Sequence, residues 1–246
     1  MKIDLKKLKR LNLSYLEVSN KTYSCGKYDM PYLTYPDEVY PDYLCLYSQK
    51  KDYLKTKRTF VCFYQYDDVF DGQDGIFNAI YYNDKKTLDK FKERFKNVFG
   101  FISPDYSQAA EIHLEENRYR CFKARIVANW LITECNAVVI PNIAYIDKRS
   151  KEYCFDGIEK KSIVAISTKG LLKGNEGLQL LKETIKETVD EISPKAIVVY
   201  SVSTETDKIK QIFKYASDKG VKIIIPNNIL YERNKILKEG SQYGKN

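Results

Sequence analysis

The residues best suited to chemistry stand where apolar runs end. Gly100-Phe101-Ile102 stops at Ser103-Pro104-Asp105-Tyr106-Ser107, so a buried strand would deliver a carboxylate and two hydroxyls to its C-terminal end, where α/β proteins keep their sites. Pro104 fixes its own φ and holds Ser103 extended. Asp105 is thereby rigidly placed to act as a general base, a nucleophile or a metal ligand. A helix-capping role for Asp105 or Ser107 fits the same position.

Other polar groups follow the same design. Val138-Val139-Ile140 runs into Pro141-Asn142, Ile163-Val164-Ala165-Ile166 into Ser167-Thr168, and Ile197-Val198-Val199-Tyr200 into Ser201. Asn142, Ser167 and Ser201 are therefore candidate hydrogen-bonding partners of a ligand. Asn117 and Arg120 lie one helical turn apart, so they share a face and can converge on a phosphate or carboxylate; Arg120 can equally serve as a structural partner of Asp105. The acidic loop Asp67-Asp68-Val69-Phe70-Asp71-Gly72-Gln73-Asp74-Gly75 lacks the spacing of an EF-hand. Asp67 is a second candidate carboxylate, and Asp67 with Asp105 is the pair a divalent metal would use, although no cofactor is required by the sequence. His113, the only histidine, lies among Glu111, Glu115 and Glu116 and reads as part of a solvated face. Cys154 in Cys154-Phe155-Asp156-Gly157-Ile158 has no base beside it and reads as structural.

These residues need a scaffold, and the pattern supplies one. Strands are expected at 60–64, from Gly100, and at 137–140, 162–166, 196–200 and 221–225. Helices are expected around Leu88 to Val98, over 109–133, 176–191 and 205–218, with Tyr119, Phe122, Ile126 and Trp130 on one face of the second. Continuous apolar strands alternating with helices imply parallel pairing through right-handed crossovers. The expected class is α/β, closer to a TIM-like barrel, complete or incomplete, than to an open doubly wound sheet. No G-x-G-x-x-G or Walker A loop follows a strand. Lys169-Gly170-Leu171-Leu172-Lys173-Gly174 reads as a loop before a helix, with only a loose likeness to a phosphate cradle.

Residues 1–58 read as an irregular layer rich in tyrosine (Tyr23, Tyr28, Tyr32, Tyr35, Tyr40, Tyr43 and Tyr47) and proline (Pro31, Pro36 and Pro41), wrapped on a core domain at 59–230 that ends in a polar tail at 231–246. Tyrosines covering a core edge need no ligand; with Lys51, Lys55, Lys57 and Arg58 they also suit stacking on single-stranded nucleic acid. The chain has 246 residues and a formal charge of +8, compatible with a polyanionic partner and with plain solubility. Its 6 cysteines form no C-x-x-C pair, which excludes a zinc finger or ribbon and fits reduced core thiols. No window suits a signal peptide or a membrane span, and the basic start from Met1 to Leu11 reads as a solvated helix or arm, so a cytoplasmic protein without membrane contact is expected.

Ser103-Pro104-Asp105-Tyr106-Ser107, Asn117-Arg118-Tyr119-Arg120, Val139-Ile140-Pro141-Asn142, Cys154-Phe155-Asp156-Gly157-Ile158 and Val164-Ala165-Ile166-Ser167-Thr168-Lys169-Gly170, in that order and spacing, resemble the DUF4417 family of phages, plasmids and bacteria across roughly Thr59 to Asn227. Two departures stand out: the resemblance implies a tryptophan near Tyr145 and a Tyr-Gly pair where this chain has Tyr200-Ser201. The family carries no established activity, but its place on mobile elements implies work on nucleic acids, nucleotides or host defence. The expectation is therefore an enzyme acting on a nucleotide or nucleic acid by hydrolysis or glycosyl-type transfer, with Asp105 as base or nucleophile, or else a non-catalytic protein that binds nucleic acid or a host protein through its N-terminal layer.

Overall fold

A computed structural model describes residues 5–19, 21–34 and 38–243; Met1 to Asp4, Tyr35 and Pro36 of the segments read above, and 244–246 of the tail, lie outside them. In chain order the elements are α1 (Leu5–Arg10), α2 (Leu16–Ser19), β1 (Ser24–Cys25), β2 (Met30–Pro31), β3 (Tyr43–Leu46), β4 (Thr59–Cys62), α3 (Ile76–Tyr81), α4 (Lys85–Phe95), β5 (Gly100–Ile102), α5 (Leu114–Cys135) and β6 (Val138–Ile140). They continue as α6 (Lys151–Cys154), β7 (Ile163–Ser167), α7 (Asn175–Ile192), β8 (Ala196–Tyr200), α8 (Thr206–Ile212), α9 (Lys214–Asp218), β9 (Lys222–Ile224) and α10 (Ile229–Tyr243). The protein is mixed α/β with parallel sheets.

Strands β3-β4-β5-β6 form one parallel sheet and β7-β8-β9 another. Residues outside the strands join them. Asn142 bridges Ala165 in parallel, with Ile143 N–H donating to the Ala165 carbonyl at 2.9 Å, and Tyr43 bridges Asn227, with Leu44 N–H donating to the Asn227 carbonyl at 2.9 Å. Because side chains alternate across a strand, each strand feeds two layers. Leu44, Phe60, Cys62, Ile102, Ile140, Ala165, Val198 and Tyr200 meet in an apolar cluster drawn from both sheets. Cys45, Val61, Phe101 and Val139 face α3, α4 and α5, while Val164, Ile166, Ile197 and Val199 face α7, α8 and α9.

Helix boundaries follow local chemistry. Asp84 caps α4, accepting from the Thr87 N–H at 3.3 Å and the Thr87 hydroxyl at 2.6 Å. Helices α5 and α7 end on residues in the left-handed region, Asn136 (φ 51°) and Ser193 (φ 49°). Helix α5 starts at Leu114, later than its apolar periodicity predicts, because Asn117 binds the preceding loop: its amide donates to the Ala109 carbonyl at 2.8 Å and the Ile112 carbonyl at 3.3 Å. The expected helix 205–218 is two short helices meeting at Phe213.

The main sheet begins ahead of Thr59. Tyr43–Leu46, inside the segment read as irregular, is wholly buried and pairs with β4 from Tyr43↔Thr59 to Leu46↔Cys62; its flanking prolines mark the entry to the strand rather than its absence. At the other end, residues 229–243 are helical.

Candidate functional site

The C-terminal ends of β4, β5, β6 and β7 surround a cleft of about 440 Å³. Asp105 and Asn142 line it together with Ser167 and Lys169; Ile143, Ile146 and Leu171 add apolar wall, and Gln65 and the largely exposed Tyr66 stand at its edge. The loops after β5 and β6 are locked by backbone and side chain: Ser103 N–H donates to the Ile140 carbonyl at 2.8 Å, and the Ser103 hydroxyl accepts from Asn142 N–H at 2.8 Å. Two prolines, Pro104 and Pro141, leave these turns little freedom.

A hydrogen-bonded chain crosses the cleft. The Tyr64 hydroxyl donates to Asn142 Oδ1 at 2.9 Å, and Asn142 Nδ2 donates to Asp105 Oδ1 at 2.8 Å. The Tyr64 ring lies against Tyr200, with centroids 4.8 Å apart. Burial pushes the Asp105 carboxyl up to about 6; the Asn142 bond pulls it down, the Asp67 charge adds to the rise, and the Lys169 ammonium opposes it. Lys169 Nζ donates to the Tyr64 carbonyl at 2.7 Å, and its backbone N–H to the Ser167 hydroxyl at 3.1 Å. An ammonium has three donors, so two remain for a ligand.

Of the residues expected from the sequence, Asp105, Asn142 and Ser167 line this cleft, whereas Asp67, Asn117, Arg120 and Ser201 do not. Arg120 pairs with Asp67 (2.8 Å) and Glu116 (2.9 Å), not with Asp105. Asp67 accepts from the Ser107 N–H at 3.0 Å and the Ser107 hydroxyl at 2.9 Å, while Arg120 also donates to the Ser107 carbonyl at 2.9 Å. This pair braces the turn that carries Asp105. Lys123 pairs with Asp71, so the acidic loop is fastened to α5 at two points. Among the described residues no group of three or more His, Cys, Asp or Glu side chains is placed to hold a metal ion.

Asn117 is buried in its loop contacts. Ser201 is also buried; its hydroxyl accepts from Ser203 N–H at 3.2 Å and its carbonyl from Asn228 Nδ2 at 2.8 Å. His113 is exposed and makes no side-chain cap. Cys154 is buried, and burial pushes its thiol up. Its motif fastens the N-terminal segment: Arg125 donates to the Cys154 carbonyl at 2.9 Å, Gly157 N–H donates to Cys25 Sγ at 2.9 Å, and Leu33 N–H donates to the Gly157 carbonyl at 2.8 Å. Of the tyrosines in the N-terminal layer, Tyr43 and Tyr47 are core residues and Tyr23 is exposed; Lys55 pairs with Glu232 and Arg58 with Asp42.

Sequence reasoning missed Tyr64 and placed Lys169 only in a loop. Both follow the rule that exposed Asp105, since each lies within two residues of a strand end, but an aromatic ending an apolar run gives no polar signal. No helix among the described residues is long and apolar enough to cross a membrane.

Residues 22–225 match a domain of unknown function, DUF4417. The chain is 24% identical over 179 residues to the Gene 1 protein of Mycobacterium phage L5, covering 72% of each chain. No solved structure matches it.

Proposed function

We propose, for a chain that belongs to the DUF4417 family, that the cleft is the active site of a cytoplasmic, mobile-element-associated enzyme acting on a nucleotide or nucleic-acid substrate by hydrolysis or glycosyl-type transfer. The reading is carried by one observation: Asp105, its carboxyl raised to about 6, is held by Asn142 and Tyr64 in the wall of a cleft that also holds Lys169. A carboxyl of that pKa is mostly ionised at neutral pH and still close to protonation, which suits general acid–base work.

In transfer to water, Asp105 takes a proton from the attacking water. The oxygen bonds to the sugar carbon, and the leaving base departs with the electron pair of the broken bond. Lys169 takes over the anion-holding role first expected of Arg120 and Asn117, because its ammonium lies in the cleft and the Arg120 guanidinium and Asn117 amide do not. Ser167 and Asn142 offer hydrogen bonds, and Tyr66 offers an aromatic plate at the edge.

The same reading extends to the scaffold. We infer that the two parallel sheets close into one TIM-barrel-like ring; the bridges at Asn142 and Asn227 and the apolar cluster shared by both sheets support this. Such a ring would put the tips of β4 through β7 at one mouth.

The test is to incubate the protein with nucleotides and short oligonucleotides and follow released base, sugar and phosphate by chromatography. Wild-type turnover lost in folded Asp105→Asn supports the reading. Equal product and equal ligand affinity in both proteins would end it.

A further inference from the structure

Basic side chains collect at the end of the molecule opposite the cleft. In a parallel sheet the residue before each strand lies at the same end as those before its neighbours. The residues before or opening β7, β8 and β9 include Lys160 and Lys161, Lys195, and Lys219 and Lys222, all exposed. Their backbones are directly joined: Lys195 N–H donates to the Ser162 carbonyl at 2.9 Å and Lys222 N–H to the Lys195 carbonyl at 3.1 Å. Three strands about 4.8 Å apart span roughly 10 Å, so these ammonium groups share one compact patch.

The carboxylates near the patch have other partners: Asp218 pairs with Lys214, Asp190 with Lys186 while also lying within electrostatic range of Lys219, Glu191 with Lys151, and Glu159 hydrogen-bonds Tyr32. Lys160, Lys161, Lys219 and Lys222 form no ion pair among the described residues, although Lys222 lies 4.4 Å from the centre of the Tyr40 ring and Lys219 5.9 Å from that of Tyr215. Asp67, Asp68, Asp71, Asp74, Asp105 and Asp147 follow strand ends at the cleft side, whereas Lys160, Lys161, Lys195, Lys219 and Lys222 gather where β7, β8 and β9 begin.

We propose that this patch docks the phosphate backbone of duplex DNA. The ammonium groups of Lys160, Lys161, Lys219 and Lys222 repel one another, and a polyphosphate relieves that repulsion with release of counterions. A single strand is the poorer fit, because it needs aromatic plates for its bases; the Tyr40 ring is covered by Lys222, and the Tyr215 hydroxyl is tied to Asp190 at 2.6 Å. A membrane is also the poorer fit, because the patch carries no aliphatic side chain to insert; Val221 is buried. A five-residue strand is about 17 Å long, so the patch is an anchor that leaves the cleft facing away from the bound duplex. The proposal stands independently of the chemistry assigned to the cleft.

The test measures anisotropy of a fluorescent 20-base-pair duplex across a KCl series, using the full chain. Wild-type affinity should fall steeply with salt, with a log–log slope of about −4 for four or five lysines on phosphates. The triple variant Lys160→Glu/Lys161→Glu/Lys219→Glu should weaken binding at least about tenfold. A second triple, Lys50→Glu/Lys148→Glu/Lys173→Glu, makes the same change in net charge with exposed residues that follow strand ends and should leave affinity within about twofold. Thermal melts check that both triples fold, and Lys→Gln versions replace any that does not. Equal weakening by the two triples, no salt-sensitive duplex binding, or tighter binding of single strands or phosphatidylserine vesicles would each overturn the proposal.

Discussion

Asn142 Nδ2 lies 2.8 Å from Asp105 Oδ1 while its own Oδ1 accepts from the Tyr64 hydroxyl at 2.9 Å. An amide donates only from nitrogen, and an ionised carboxylate only accepts. Asp105 and Tyr64 therefore fix the orientation of Asn142 between them, and three strand-end loops are set in register by one side chain.

Tyr64→Phe removes the donor to Asn142 Oδ1 inside a buried contact. The expected loss is about 1–3 kcal/mol of stability, read from urea denaturation at pH 7. A loss under about 0.5 kcal/mol would mean that the amide finds another partner.

The Asn142 hydrogen bond lowers the Asp105 carboxyl against the larger effect of burial. Asn142→Ala should therefore move the Asp105 titration above about 6, visible in ¹³C carboxyl shifts and as a parallel move of the acidic limb of any pH–rate profile. A downward move would contradict the assigned cause.

Asp105 also sets a stability trend. Its folded-state pKa, about 6, is above the ordinary aspartate value of 3.8, so between these values the folded state binds more protons than the unfolded state. Its contribution is thus most favourable below about pH 4 and is lost as pH rises through 6, a change on the order of 2–3 kcal/mol. Asp105→Asn should flatten this part of the wild-type stability curve measured from pH 4 to 7; identical curves would refute the shift.

Arg120 braces Ser107 and Asp67 without reaching the cleft. Arg120→Ala should cost about 1–3 kcal/mol, since it strips a half-buried Asp67 of its charged partner, and should lower kcat more than it raises KM by loosening the Asp105 turn. Lysine offers one point charge where arginine makes several directed bonds, so Arg120→Lys should restore only part of the stability. A pure KM effect would place Arg120 on the ligand instead.

Gly157 has φ +78°, and a Cβ there would lie 2.4 Å from the Pro31 carbonyl oxygen. Gly157→Ala should destabilise by about 2 kcal/mol or more, and limited proteolysis should then cut first within residues 21–34. Gly170 shares the positive φ, +81°, but has open space around it; Gly170→Ala should cost only about 1 kcal/mol.

Much of the fold was readable because strands buried on both faces must be continuously apolar, and the runs that form β4 through β8 largely are, while the partly buried β9 follows its apolar Ile223 and Ile224. β3 was hidden by the tyrosines and prolines around Leu44 and Cys45, which carry the signature of an irregular segment even though pairing with β4 buries them. The strand-end rule found Asp105, Asn142 and Ser167, whose positions depend on backbone alone. It failed for Arg120 and Asn117, which lie on α5 rather than at a strand end and whose side chains are taken up by Asp67 and Glu116 and by the preceding loop. Lys169 and Tyr64 were obscured for the opposite reason, one lying in a glycine-rich loop and the other ending an apolar run.

The hydrogen bond from Leu44 to Asn227 joins residues 183 positions apart. During synthesis, the free edge of β3 cannot find this partner until Asn227 has left the ribosome. Until then that edge is a template for another nascent strand. Asp42 and Arg58, paired where β3 and β4 begin, secure only the edge shared with β4, and a chain cut before residue 227 should aggregate rather than fold.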